Sequence, residues 1–192
     1  MKPVRSISCL AIAILMLVAG PVAAGGLGLP SSHWGLGFGN LRDFTGLRLN
    51  LRDDDVDRVG GVNVTLWAPK REGGHYAGLG LHLVGLSAHR FDGVALSLLG
   101  SEIDAGSGIF VNGLGMEGGD LEGILVNGLG AGLDDFTGVA VALLGLGAGD
   151  VTGITLSGLG MGADEVTGIH LAAAALGAGI DTWPAWAWEP TT

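Results

Sequence analysis

Carboxylates are the residues with chemical potential that this chain sets at the most regular intervals. Asp120, Asp135, Asp150 and Glu165 recur every 15 residues, so any stacking of that period would bring acid beside acid. Stacked carboxylates repel in water unless a hard cation bridges them, and an all-oxygen ligand set suits Ca²⁺. Without a cation the same column reads as a solvated acidic edge. That edge is the expectation, with a Ca²⁺-binding secreted module as the alternative.

Other chemistry-bearing groups are sparser. The Gly145–Asp150 stretch, Gly-Leu-Gly-Ala-Gly-Asp, overlaps two glycine-rich motifs. A dinucleotide fingerprint needs a strand before it and a helix after it, and no helix is expected here. The calcium turn of secreted β-rolls needs a nine-residue period, which is absent. His75, His82 and His89 are spaced by seven but would point in different directions from a 15-residue coil. Ser87, His89 and Asp92 lie close in sequence, yet no Gly-x-Ser-x-Gly elbow is present to present a nucleophile. Thr137, Thr152, Thr167 and Thr182, with Thr45 upstream, form a single threonine column. Ice-binding solenoids are similar in their flat threonine faces but use Thr-x-Thr pairs, which this chain lacks. His82, Ser97, Asn112 and Asn127 share a further column, expected to satisfy neighbouring polar groups in a structural role. No catalytic, cofactor-binding or metal-ligating residue is assigned, and the chain is read as a non-enzyme.

These columns exist because the sequence repeats. A glycine followed by Leu, Val or Ile falls at Gly46, Gly61, Gly78, Gly93, Gly108, Gly123, Gly138, Gly153 and Gly168, with steps of 15 residues and a single step of 17. A fixed period of this kind means one short unit stacked on copies of itself. Within the Gly138 unit, large apolar residues sit at Val139 and Val141, then Leu144 and Leu146, then Val151. Alternation marks strands, and its phase changes two or more times per unit divide the unit into short sides. The prediction is an all-β solenoid of 15-residue coils, roughly triangular in section, with those aliphatics inward and glycines at corners where positive φ carries no steric cost. A β-barrel or meander of repeated strands is the alternative, and Gly/Ala-rich helices, prompted by Leu171–Ile180, are a third. Interior glycine costs a helix about 1 kcal/mol per residue, which counts against the last.

Four segments follow from the period. Residues 1–24 read as a cleaved export signal: Lys2 and Arg5 lead, Cys9–Ala19 is apolar, and Val22-Ala23-Ala24 forms a small-residue cleavage site. A bilayer span needs about 20 apolar residues, more than this run offers. Residues 25–45 are a cap or a degraded repeat, 46–182 the nine-repeat solenoid, and 183–192 a Trp/Pro-rich tail whose three tryptophans could plug the core. In the Gly46 unit Arg48, Arg52, Asp53, Asp54, Asp55, Asp57 and Arg58 stand where later units carry aliphatics and glycines, as in a polar cap. The two extra residues of the Gly61 unit fall within 67–76, which is expected to be a loop and a candidate binding feature.

After removal of residues 1–24 the chain has no cysteine, which rules out disulfides and a thiol nucleophile. It carries 19 acids against 7 bases. Residues 25–90 hold all 7 bases and 6 acids, and residues 91–192 hold 13 acids and no base. Nucleic acid and anionic lipid both require Lys and Arg, so neither is an expected partner. Membrane association is not favoured, and a small-molecule ligand is not expected.

The units Gly108-Ile-Phe-Val-Asn-Gly-Leu-Gly and Gly123-Ile-Leu-Val-Asn-Gly-Leu-Gly resemble the short Gly-aliphatic-Asn repeats of uncharacterised bacterial surface-repeat proteins, over about residues 44–182. The resemblance implies export and carries no activity with it. The expectation is an exported, non-catalytic repeat protein of the bacterial envelope. It would be periplasmic, on the outer surface or secreted, with a structural or adhesive role and an unknown protein or envelope partner. An outer-membrane β-barrel component is the competing class.

Overall fold

Glycine sets the shape of each coil. In the computed structural model, which describes residues 26–67, 69 and 73–178, the nine recurring glycines from Gly46 to Gly168 have φ between +97° and +141°. L-residues avoid that region. Space excludes them as well: a Cβ on Gly123 would run into the carbonyl oxygen of Gly108, one coil earlier. The backbones of neighbouring coils therefore meet at these glycines with no room for a side chain.

The described chain is all strand and connection. Its elements are β1 (Gly26–Pro30), β2 (Trp34–Gly39), β3 (Asp43–Arg52), β4 (Arg58–Trp67), β5 (His75–His82), β6 (Gly85–Ser97), β7 (Gly100–Asn112), β8 (Gly115–Asn127), β9 (Gly130–Ala142), β10 (Gly145–Ser157), β11 (Gly160–Ala172) and β12 (Ala175–Ala178). They form one sheet in sequence order. From β2 onward every neighbour pairs in parallel, at an offset of 15 residues except for 11 between β2 and β3 and 17 between β4 and β5, so Gly123 lies beside Gly138 and Gly138 beside Gly153. That is a β-solenoid. A barrel or meander would need antiparallel neighbours, and only β1 and β2 pair that way; the helical alternative for Leu171–Ile180 gives way to strand through Ala178. Even the corners are laddered, as in Gly128 N–H to Asn112 O at 2.9 Å and Leu129 N–H to Leu114 O at 2.6 Å, which satisfies backbone groups that would otherwise be orphaned. With coils stacked at about 4.8 Å, the ten coils that begin at Gly35 and end at Gly168 make a rod about 45 Å long.

Each coil has three sides. In the Gly138 coil the inward residues are Ala140 and Ala142, then Leu146 and the half-buried Ala148, then Val151. This corrects the predicted arrangement in part. Leu146 and Val151 do point inward, but Val139, Val141 and Leu144, also placed in the core by their size, point outward and are exposed. The alternation is right and the phase on the first side is reversed. The reason is volume: a three-sided coil of 15 residues encloses about five side chains, and the other two sides already supply large ones. Compensation within the core follows the same rule. Where the inward column has Gly106 instead of a bulky residue, the Phe110 ring fills the room, with Cζ 3.2 Å from where a Gly106 Cβ would stand.

The first coils differ from the rest. Strand β2 stacks in parallel on β3, with Gly35 beside Gly46, so this part of 25–45 is a further coil; β1 folds back antiparallel on β2, with Leu27 beside Phe38, and ends the sheet. Residues 1–25 and 179–192 lie outside the described residues, and with them the export signal, Thr182 and the tryptophans of the tail.

Candidate interaction surface

Reversal of the first side produces the most conspicuous surface of the molecule. Positions one and three after each glycine, from Leu36 and Phe38 to Ile169 and Leu171, are filled in ten successive coils by Leu, Val, Ile or Phe alone. All twenty are outward and exposed or half-exposed, with Ile154 49 % and Leu156 50 % accessible. The adjoining corner adds exposed leucines, among them Leu98, Leu114, Leu129, Leu143 and Leu159. Parallel register makes the two columns straight, and strand geometry makes them flat. A side five residues wide is about 16 Å across; over about 45 Å of rod it covers roughly 700 Å², or roughly 1,000 Å² with the corner leucines. Soluble monomers rarely expose apolar patches beyond a few hundred Å².

Part of the interior behind this face is polar. Arg48, Asn50, Asn63, Thr65, His82, Ser97, Asn112, Asn127, Thr155 and Ser157 point inward and are buried. Arg48 and Asp53 pair, with side chains 0 % and 3 % accessible. The Arg48 Nε donates to Asn63 Oδ1 at 2.8 Å and its Nη1 to the Leu41 carbonyl at 2.6 Å. Asn50 Nδ2 donates to Asp53 Oδ1 at 2.8 Å and Thr65 Oγ1 to Asp53 Oδ2 at 2.9 Å. Two members of the predicted polar cap thus close into the core instead of facing water. Tyr76 and His82 pack beside them edge to face, with ring centroids 6.3 Å apart. Burial raises the Tyr76 phenol far above its usual range, and the Asp53 carboxylate adds to the rise. Burial lowers His82 to about 4 against the opposing pull of Asp53, and neither of its ring nitrogens has a hydrogen-bond partner among the described residues.

The sequence-predicted columns are present, and most are surface features. Asp120, Asp135, Asp150 and Glu165 lie in register and are exposed; among the described residues no three His, Cys, Asp or Glu side chains are placed to share a metal ion. Thr137, Thr152 and Thr167 are likewise in register and exposed. The Asn column turns inward, where Asn112 Nδ2 donates to Asn127 Oδ1 at 2.9 Å and Ser101 Oγ to Asn112 Oδ1 at 2.7 Å. The three histidines diverge: His82 is buried, His75 is exposed, and His89 Nδ1 sits 2.7 Å from Asp104 Oδ2. Asp92 is held by Arg90 and by Ser107 Oγ at 2.8 Å, and these contacts keep its carboxyl below the usual range. His89 and Asp92 are thereby committed to different neighbours. The Gly145–Asp150 stretch lies inside β10 with strand following it, so it is not a nucleotide turn. Of the 67–76 segment, Trp67 is exposed and Lys70, Arg71 and Glu72 fall outside the described residues.

A three-sided parallel β-solenoid with one aliphatic outer face and an acidic surface on its later coils is the class of protein that these observations define. Compared with protein-family models, curated proteins and solved structures, the chain matches none.

Proposed function

We propose that the chain is an exported, non-catalytic repeat protein of the bacterial envelope, with a structural or adhesive role carried by its aliphatic face. The observation behind this reading is the unbroken apolar identity of twenty outward positions, beside an interior that is itself polar in the first coils. Water penalises such a surface, at about 25 cal/mol per Å², so its persistence over ten coils fits a surface meant to be covered. A repeat of this kind offers long ladders and no enclosed reaction chamber, which suits attachment better than turnover. The acidic sides keep the rod in solution until that face is covered.

The export half of the reading is tested by expressing residues 1–192 and 25–192 in a Gram-negative host. The full chain should be recovered outside the cytoplasm, shortened to begin at Gly25, and the truncated chain should remain inside. Full-length product retained in the cytoplasm would end the envelope assignment. The adhesive half is tested by adsorption to alkyl-coated beads, which the double variant Ile124→Thr/Val126→Thr should reduce several-fold; unchanged adsorption would remove the face from the proposal.

A further inference from the structure

The aliphatic face has the dimensions and the charge environment of a self-association surface. We infer that two copies of this chain pair face to face through it, with their rod axes antiparallel, giving a β-sandwich between subunits. This rests on the reading of the face as an interaction surface and names its partner.

Area is the first argument. Roughly 700–1,000 Å² per copy is the amount that a stable interface takes, about 800 Å² per partner. Flatness is the second. Two sheets pack at about 10 Å when both present unbroken apolar side chains, and each copy offers two straight columns in register over ten coils. The fourteen residues 179–192 cannot substitute: fully extended they reach about 46–50 Å, but one strand covers about 5 Å of the 16 Å width.

Charge chooses the orientation. Residues 91–192 carry 13 acids and no base, while residues 25–90 carry 7 bases and 6 acids. A parallel pair would lay acid-rich coils against acid-rich coils. An antiparallel pair lays each acid-rich half against the base-bearing half of its partner; both orientations close by a two-fold axis in which one patch serves both copies, so charge alone separates them. The axis then crosses between the Gly93 and Gly108 coils, and the Gly46 coil of one copy faces the Gly153 coil of the other. Leu49 therefore lies opposite Leu156 of the second copy.

Sedimentation equilibrium of residues 25–192 at tens of micromolar tests the pairing. The unsubstituted chain should be a dimer. Leu49→Lys alone and Leu156→Glu alone should each shift it to monomer by tenfold or more in dissociation constant, and the two together in one chain should restore the dimer, since opposite charges then meet across the axis. An unchanged dimer in both single variants would overturn the assignment of the interface. Loss without restoration would overturn the antiparallel arrangement. Because a charge in a strand could impair folding, Ile124→Thr/Val126→Thr, which keeps a β-branched residue at both positions, should weaken the dimer while leaving the circular-dichroism spectrum unchanged; an equally tight dimer in it would count against the interface. A monomeric unsubstituted chain overturns self-pairing outright. If that monomer still adsorbs to alkyl-coated beads and loses adsorption on the Thr substitutions, the adhesive role survives. If it floats with phosphatidylcholine vesicles, the occupant is lipid; if it gains dye binding only on deletion of 183–192, the occupant is the tail.

Discussion

Arg48 and Asp53 form an ion pair sealed inside the first coils, five residues apart and with both side chains almost wholly removed from water. Strand β3 ends between them at Arg52, and Asn50, Asn63 and Thr65 complete the partners of the carboxylate. A pair of this kind adds little against an apolar replacement of similar volume, but breaking it strands a charge in a medium that cannot solvate it. Arg48→Met should therefore cost about 3–5 kcal/mol. Arg48→Met combined with Asp53→Leu should recover most of that loss. Urea denaturation of the unsubstituted chain, Arg48→Met, Asp53→Leu and the double variant gives the coupling, and additive losses would show that the pair does not act as a unit.

His82 makes the same region sensitive to acid. Its folded value of about 4 lies below the ordinary 6.5 because burial opposes the charged ring. Arg48 acts in the same direction and Asp53 against it. Between those two values the unfolded chain takes up a proton that the folded chain refuses, so stability falls as pH drops from about 6.5 to about 4 and is unaffected by this group above that window. The full difference amounts to about 3 kcal/mol. His82→Leu should flatten the dependence of the melting temperature on pH across that interval. An unaltered slope would mean that another group sets it.

Much of this fold is legible in the sequence because each column repeats one chemistry. Nine glycines, all but one of their steps 15 residues long, locate the corner that needs positive φ, and the predicted neighbours of Asp135 and Thr152 are the ones observed. The facing of the first side is not legible. Val139 and Val141 alternate with Ala140 and Ala142, and period alone allows either pair to be inside; size favours the valines, and the volume filled by Leu146 and Val151 decides for the alanines. A signal was available in Arg48, Asn50, Asn63 and Thr65, whose polar positions coincide with the alanine columns. Arg48 belongs to the polar segment that reads as a cap, and that reading hides the reversal. The candidate surface is not legible for the same reason, since large alternating aliphatics read as core.

Glycines in this chain should divide sharply in their tolerance. Gly123 combines φ of +128° with a neighbouring carbonyl where a Cβ would stand, so Gly123→Ala should destabilise by more than about 1 kcal/mol, the least that strained backbone of this kind costs. Gly132 has ordinary φ and open space around the same position. Gly132→Ala should be neutral or stabilising by about 0.4–1 kcal/mol, because it restricts the unfolded chain without a clash. Thermal melting of the two variants checks the contrast, and similar losses in both would remove the geometric account of the repeat.

Ile124, Leu125 and Val126 are consecutive, and the reversed phase gives them opposite fates. Leu125 is wholly buried, whereas its neighbours are 44 % and 37 % accessible. Truncating a buried leucine loses its transfer free energy and leaves a cavity, so Leu125→Ala should cost about 2–5 kcal/mol. Truncation on the outside removes exposed surface alone, and Ile124→Thr should cost less than about 1 kcal/mol in the monomer, within the range of strand propensity. The readouts should separate as well. At concentrations low enough to keep the chain monomeric, binding of an anilinonaphthalene dye should fall with Ile124→Thr and rise with Leu125→Ala, as the first removes accessible apolar surface and the second loosens the core behind it. The opposite ranking of stabilities would place Ile124 and Val126 in the interior, as their size alone predicts, and the outward face would cease to exist.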